Sequence, residues 1–133
     1  MNPHSFTESL RLKLDAAFSG LSIHTAVMEG SRSLPYVLLT LSSGEERILR
    51  NHTWDCELSV QLLTHAQDTN GEEARNRFTS LCAEVEKGSL RDSLNESASD
   101  FYLYRLSLQA VDEPMVQDDS FIQSARFRVL IQF

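Results

Sequence analysis

The side chains best suited to chemistry in this sequence are four histidines, His4, His24, His52 and His65, and two cysteines, Cys56 and Cys82. Imidazoles and thiolates transfer protons, attack electrophiles and ligate zinc, but each use needs partners at a set spacing. No histidine pairs with Cys or Asp at metal-ligand spacing, and neither H-E-x-x-H nor C-x-x-C occurs. His52-x-x-Asp55 falls within a strand pattern, where that spacing is a chance one, and His65 lies on the wet face at the end of the same strand. No G-x-S-x-G elbow, phosphate-binding Walker loop or dinucleotide fingerprint is present, and the five glycines all fall at turns or caps. The loop Asp112 to Asp119, DEPMVQDD, carries four carboxylates and could coordinate a cation. It lacks the D-x-D-x-D-G ladder of a calcium loop, so a solvated turn is the simpler reading. The residues therefore lead to the expectation of no catalytic, cofactor-binding or metal site. Both cysteines sit at predicted core positions and read as buried thiols behaving as small hydrophobes. Two are too few for a disulfide framework.

The stretch that organises the elements is His52 to Ala66, HTWDCELSVQLLTHA. Trp54, Cys56, Leu58, Val60 and Leu62 alternate with Asp55, Glu57, Ser59 and Gln61, which predicts one strand with a dry and a wet face, roughly 40 Å long. A strand of that length must be the spine of a sheet. Ahead of it, Ser5 to Phe18 reads as a helix with an S-x-x-E capping box at Ser5 and Glu8. Its apolar stripe is Phe6, Leu10, Leu14, Ala17, Phe18 and Leu21, and Gly20 supplies a left-handed cap. Ser22 to Met28 reads as a short edge strand, and Glu29 to Ser33 as a loop. A strand over Tyr36 to Leu41 follows Pro35, then a turn at Ser42 to Glu45, and Arg47 to Arg50 leads into the long strand, with a bulge or kink at Asn51-His52.

A second helix is predicted over Glu72 to Lys87, capped from Thr69 and Glu72 or from Asn70 and Glu73. Its stripe is Ala74, Phe78, Leu81, Cys82 and Val85, and Gly88 ends it. Leu90 and Leu94 suggest a further turn on the core, and Asn95 to Asp100 reads as loop. Phe101 to Val111 alternates with Tyr102, Tyr104, Leu106, Leu108 and Ala110 on the dry side, leaving Phe101 and Leu103 on the wet one. The last strand, Phe121 to Phe133, turns Ala125, Phe127, Val129, Ile131 and Phe133 inward, with Ser124, Arg126, Arg128 and Gln132 outward. The expected fold is α+β: one two-layer domain over residues 1–133, mainly antiparallel sheet with two helices, in the order α-β-β-β-α-β-β.

Length and charge bound the function. The 133 residues, 41% hydrophobic and 23% charged, suit one ordinary globular domain. Nineteen acidic against twelve basic residues leave a net charge of −7. That disfavours nucleic acid or anionic membrane as a general partner, since both attract clustered Lys and Arg. No apolar run approaches a membrane span, and MNPHSFTESLRLKLD has no secretory apolar core, so an unexported cytoplasmic protein is expected. On the wet face of the sheet Leu63, Phe101, Leu103 and Leu130 stand beside Arg105, Arg126 and Arg128. Aliphatics mixed with arginines are the composition of a protein–protein contact, which makes this face a candidate subunit interface. The exposed loop acids Asp112, Glu113, Asp118 and Asp119 are candidate partner contacts on the same grounds of recognition by loops.

The order of elements resembles a known family. A leading helix precedes a strand that opens Leu34-Pro35-Tyr36-Val37-Leu38-Leu39, then Ser43-Gly44-Glu45-Glu46, then the long strand Trp54 to Leu63. A helix over Glu72–Lys87 and two strands around an acidic loop close the chain, with FIQSARFRV over 121–129. In architecture and pattern, over nearly its whole length, the chain resembles the tail-terminator or tail-completion proteins of long-tailed bacteriophages, the family of the phage lambda minor tail protein U. That family has no catalytic signature to match. The resemblance implies a non-enzymatic virion tail part, also found in prophages and assembled in the bacterial host cytoplasm. It implies a hexameric ring of identical subunits that caps the tail tube, with the tail tube protein and a head-completion protein as partners. The alternatives are a head–tail joining protein, or a small ligand-binding or enzymatic domain using His52, Asp55 or His65.

Overall fold

The computed structural model describes residues 3–25, 34–48, 52–66 and 71–133, with the backbone alone at 3–4 and 43–48. Its spine is β3 (Thr53–His65), paired along its whole length with β6 (Ser120–Gln132). Their antiparallel register runs from Thr53 opposite Gln132 to His65 opposite Ser120 without a shift. The alternation expected for both strands holds. Cys56, Leu58, Val60 and Leu62 from β3, and Ala125, Phe127, Val129 and Ile131 from β6, are at most 4% exposed.

On one side β2 (Tyr36–Ile48) pairs antiparallel with β3, and the short β1 (Ser22–Thr25) pairs parallel with β2 as an edge. On the other side β4 (Tyr102–Val111) and β5 (Met115–Gln117) pair in succession with β6. The order across the sheet is β1-β2-β3-β6-β4, with β5 on the far end of β6. Three helices supply the second layer: α1 (Pro3–Ala17), α2 (Glu72–Glu86) and α3 (Gly88–Ser97). Phe6, Leu10 and Leu14, then Phe78, Leu81 and Val85, then Leu90 and Leu94 all join a single core with the inward residues of the sheet. The fold is α+β, as expected.

Several local expectations are corrected. The helix α1 begins at Pro3, so Ser5 sits inside its first turn rather than at the cap, and its hydroxyl donates to Asp100 at 2.8 Å. Ala17 is exposed, whereas Gly20 takes the left-handed backbone expected of it, with φ 83°. The turn expected at Ser42 to Glu45 is strand. Pairing with the long β3 carries β2 on to Ile48, and two register shifts, between Ser42 and Glu45 and between Glu46 and Ile48, absorb the extra residues as bulges. The cap of α2 is Gly71, with φ 61° and no side-chain cap bond. Gly88 opens α3 instead of ending a helix, and the stretch expected as a turn and loop is ten helical residues. The DEPMVQDD stretch is not a free loop, because Met115 to Gln117 form β5 and only Asp118-Asp119 turn the chain into β6. The expectations for Ala26 to Ser33, Arg50, Asn51, Thr69 and Asn70 lie outside the described residues.

The largest correction is in β4. Phe101 and Leu103 are core residues at 7% and 1% exposure, while Tyr102 and Tyr104, expected inside, are 51% and 42% exposed. Register shifts between Leu103 and Arg105 and between Leu108 and Ala110 each insert one residue. One extra residue reverses the facing of everything beyond it. Leu106 is buried and Arg105 points outward as expected, because both lie between the two shifts.

Deleting residues 129–133 removes Val129 and Ile131, both fully buried, and Phe133, which packs against the core. At ~1.5–3 kcal/mol per buried side chain, against a total stability of roughly 5–15 kcal/mol, the truncated chain should not fold. Circular dichroism showing an unchanged thermal transition would contradict the placement of β6.

Candidate assembly surface

All three helices of the described residues lie on one side of the sheet, and none of them lies on the other. Period two sets what that open face carries. From the ladder registers, Tyr36, Leu63, Ile122 and Met115 form one apolar row across β2, β3, β6 and β5. The His24 ring meets Tyr36 edge-on at 5.7 Å. The middle rows are polar: Thr40, Ser59, Arg126 and Ala110, then Ser42, Glu57, Arg128 and Ser107. The last rows hold Asp55, Leu130 and Arg105, then Thr53, Gln132 and Tyr102.

The structure thus brings Arg105, Arg126, Arg128 and Leu130 onto one face, as the alternation expected, and removes Phe101 and Leu103 from it. Arg128 makes a two-pronged contact with Asp55, Nε to Oδ1 at 3.0 Å and Nη2 to Oδ2 at 2.7 Å. Those hydrogen bonds, more than charge alone, raise the Arg128 pKa and fix its guanidinium plane. Arg126 pairs with Asp112 at 3.2 Å, so the arginine set and the acidic set expected as separate contacts meet within one chain. Arg105 makes no ion pair among the described residues. Glu113, Asp118 and Asp119 are exposed near the turn into β6.

Sequence reasoning missed Tyr36, Ile122 and Met115 in the apolar row and Tyr102 and Tyr104 at the opposite corner. Carrying the β6 alternation two steps back from Ser124 finds Ile122. The tyrosines lie beyond a bulge and carry no such signal.

The outer edge of β4 is closed by helix side chains. Asn95 accepts from the Leu103 N–H at 2.7 Å and donates to the Leu103 C=O at 2.9 Å. Arg91 donates to the Tyr104 C=O at 3.4 Å, and Glu86 accepts from the Leu108 N–H at 2.9 Å. These are backbone groups that an added strand would use. With the two bulges and Pro114 they blunt the edge against strand addition. Contacts on this side must therefore go through side chains on the open face and along the rim.

The residues of the enzymatic alternative do not converge. His52 lies just before β3 and His65 ends it, about 40 Å away along the strand, and Asp55 is held by Arg128. Among the described residues no group of three or more His, Cys, Asp or Glu is arranged to hold a metal ion. Also among them, no helix is long and apolar enough to cross a membrane. Cys56 and Cys82 are both free, the first buried and the second half-buried.

No protein-family model matches the chain, and no curated protein matches it. Solved structures share its fold. A chain of the virion of native gene transfer agent (GTA) particle superposes with a TM-score of 0.69 at 16% identity, over 96% of this chain and 92% of that chain. A second solved structure superposes with a TM-score of 0.62 at 11% identity, over 98% of this chain and 93% of its own. At such identities the likeness establishes a shared α+β fold across the whole domain.

Two outcomes follow from this geometry. Burial, and secondarily Glu86, push the Cys82 thiol from 9.0 up to about 11. A raised thiol pKa means that the folded state keeps its proton longer than the unfolded chain, so stability is lost as pH rises through that window. Relative to Cys82→Ala, the wild type should lose melting temperature between pH 9.0 and about 11. Parallel curves would refute the shift. Reversing Arg126 and Arg128 together to Glu places them beside Asp112, Asp55 and Glu57 on an otherwise unchanged face. With this face as a candidate subunit contact, the double variant should fold, by circular dichroism, and self-associate less than the wild type in native mass spectrometry. Self-association equal to the wild type's would remove these arginines from the candidate contact.

Proposed function

We propose that this chain is a non-catalytic structural component of a phage-like virion, and that it forms a ring which caps the tail tube and receives the head. The observation that carries the virion reading is the likeness in fold, over 96% of the chain, to a chain of the gene transfer agent particle. The sheet face that bears no helix among the described residues supports assembly as its mode of action. Three strands of 13 residues, β4 of 10, β1 of 4 and β5 of 3, at ~3.3 Å per residue and ~4.8 Å between strands, make a face on the order of 900 Å². A standard protein–protein interface takes about that area from each partner. Its mixture of Tyr36, Leu63 and Leu130 with three arginines fits a contact rather than a solvated surface.

The tail-capping role rests on the family resemblance of the chain's element order. A subunit that ends tube growth must bind the last tube ring and present an upper surface to which no further tube subunit adds. Shape and surface charge suffice for both, and a net charge of −7 helps to reject other partners. Six copies in a closed ring would match a tube of the same symmetry.

Particles made without this chain should then contain filled heads and polymerised tails that do not join, with tubes of uncontrolled length in electron micrographs. Adding the purified protein should restore joining without nucleotide or metal. Tubes of normal length that fail to join would favour the head–tail joining reading. Normal tails already attached to heads would overturn the proposal.

A further inference from the structure

Two exposed apolar patches lie at opposite ends of the β4–β5 edge and face opposite sides of the sheet. The first is on the open face. Tyr102 and Tyr104 stack edge-on at 4.9 Å, and the Tyr104 hydroxyl donates to Gln132 at 2.8 Å. Arg105 stands beside them, opposite Leu130. The second patch is on the helix side. Leu108, Val111 and Val116 are opposite Phe127, Ala125 and Phe121, which places them on the core face of the sheet. They are nonetheless 39%, 58% and 65% exposed, so the helix layer does not extend over them. The exposed acids next to them in the chain are Glu113, Asp118 and Asp119, whereas Asp112 is tied to Arg126 of the open face.

We infer that the aromatic, cationic front patch of one copy packs on the aliphatic, anionic rear patch of the next copy of the same chain. This rests on the assembly reading above and names the contact that makes it. Three features select a second copy in head-to-tail order as the occupant. The patches are complementary in charge, Arg105 against the acids around Val111 and Val116. They face opposite directions, as front-to-back packing requires and as a two-fold contact does not. Two rear patches brought together would set carboxylates against carboxylates. A contact between different patches propagates, and it closes into a ring when the rotation between copies allows. The closed β4 edge excludes strand addition there as the competing mode.

Two variants test this. Tyr102→Ser with Tyr104→Ser removes the front patch, and Val111→Ser with Val116→Ser removes the rear one. All four side chains are exposed, and the interactions lost are the surface Tyr102–Tyr104 ring contact and the Tyr104–Gln132 hydrogen bond, so both proteins should fold, by circular dichroism. Arg105→Glu serves as a milder front variant if the tyrosine pair fails to fold. In sedimentation and native mass spectrometry up to millimolar concentration, the wild type should form oligomers and each variant alone should stay monomeric. An equimolar mixture should form one-to-one dimers and nothing larger, because the intact front of one joins the intact rear of the other only once. Self-association by either variant, a mixture that stays monomeric, or a monomeric wild type would overturn the contact. Monomeric wild type with particle joining still dependent on the chain would leave the virion role standing. Ring assembly in a chain that particles do not need would leave the contact standing and remove that role.

Discussion

Thirteen consecutive residue pairs without a register shift join β3 to β6, and the remaining elements are arranged around that ladder. A ladder of this length fixes which side of each strand is dry, since a slip by one residue would turn Leu58, Val60, Phe127 and Val129 into solvent. One dry face is then enough to recruit a single helix layer. The helices among the described residues cover one side only, and the other side of the sheet presents its side chains without a helix over them.

Regularity at the centre contrasts with irregularity at the rim. Both strands flanking the central pair, β2 and β4, carry two register shifts. In β4 these shifts turn two tyrosines outward while keeping Leu106 in the core. Along the same edge Glu86, Arg91 and Asn95 of the helices occupy its backbone groups. An edge closed in this way cannot template strand-to-strand growth, the hazard that an open sheet edge carries. On the assembly proposed above, contacts go instead through surfaces whose side chains can be specific.

What could be read in the sequence follows from this division. The elements β3 and β6 were legible because their alternation is unbroken, and α1 and α2 because Phe6, Leu10 and Leu14, and Phe78, Leu81 and Val85, recur at helical spacing. The open-face arginines came from the same count of two. The facing of β4 was not legible, because a bulge leaves no mark in composition and the alternation of Tyr102, Tyr104 and Leu106 looks continuous. Ser42-Ser43-Gly44 reads locally as a turn, and only pairing with a longer neighbour makes it strand. Two leucines, Leu90 and Leu94, were too few to announce α3. The closing of the β4 edge joins residues 8 to 22 positions apart and exists only in the folded chain.

On the assembly proposed above, copies meet through the sheet face that bears no helix among the described residues and through the exposed helix-side rim at Val111 and Val116, with the helix layer as support. Hydroxyl-radical footprinting of side chains, on the free protein and on the assembled particle, measures this directly. Tyr36, Leu63, Tyr102, Tyr104 and Leu130 should lose labelling on assembly, while Leu12 on α1 should label equally in both. Undiminished labelling of the open face, with protection confined to the helices, would contradict the account.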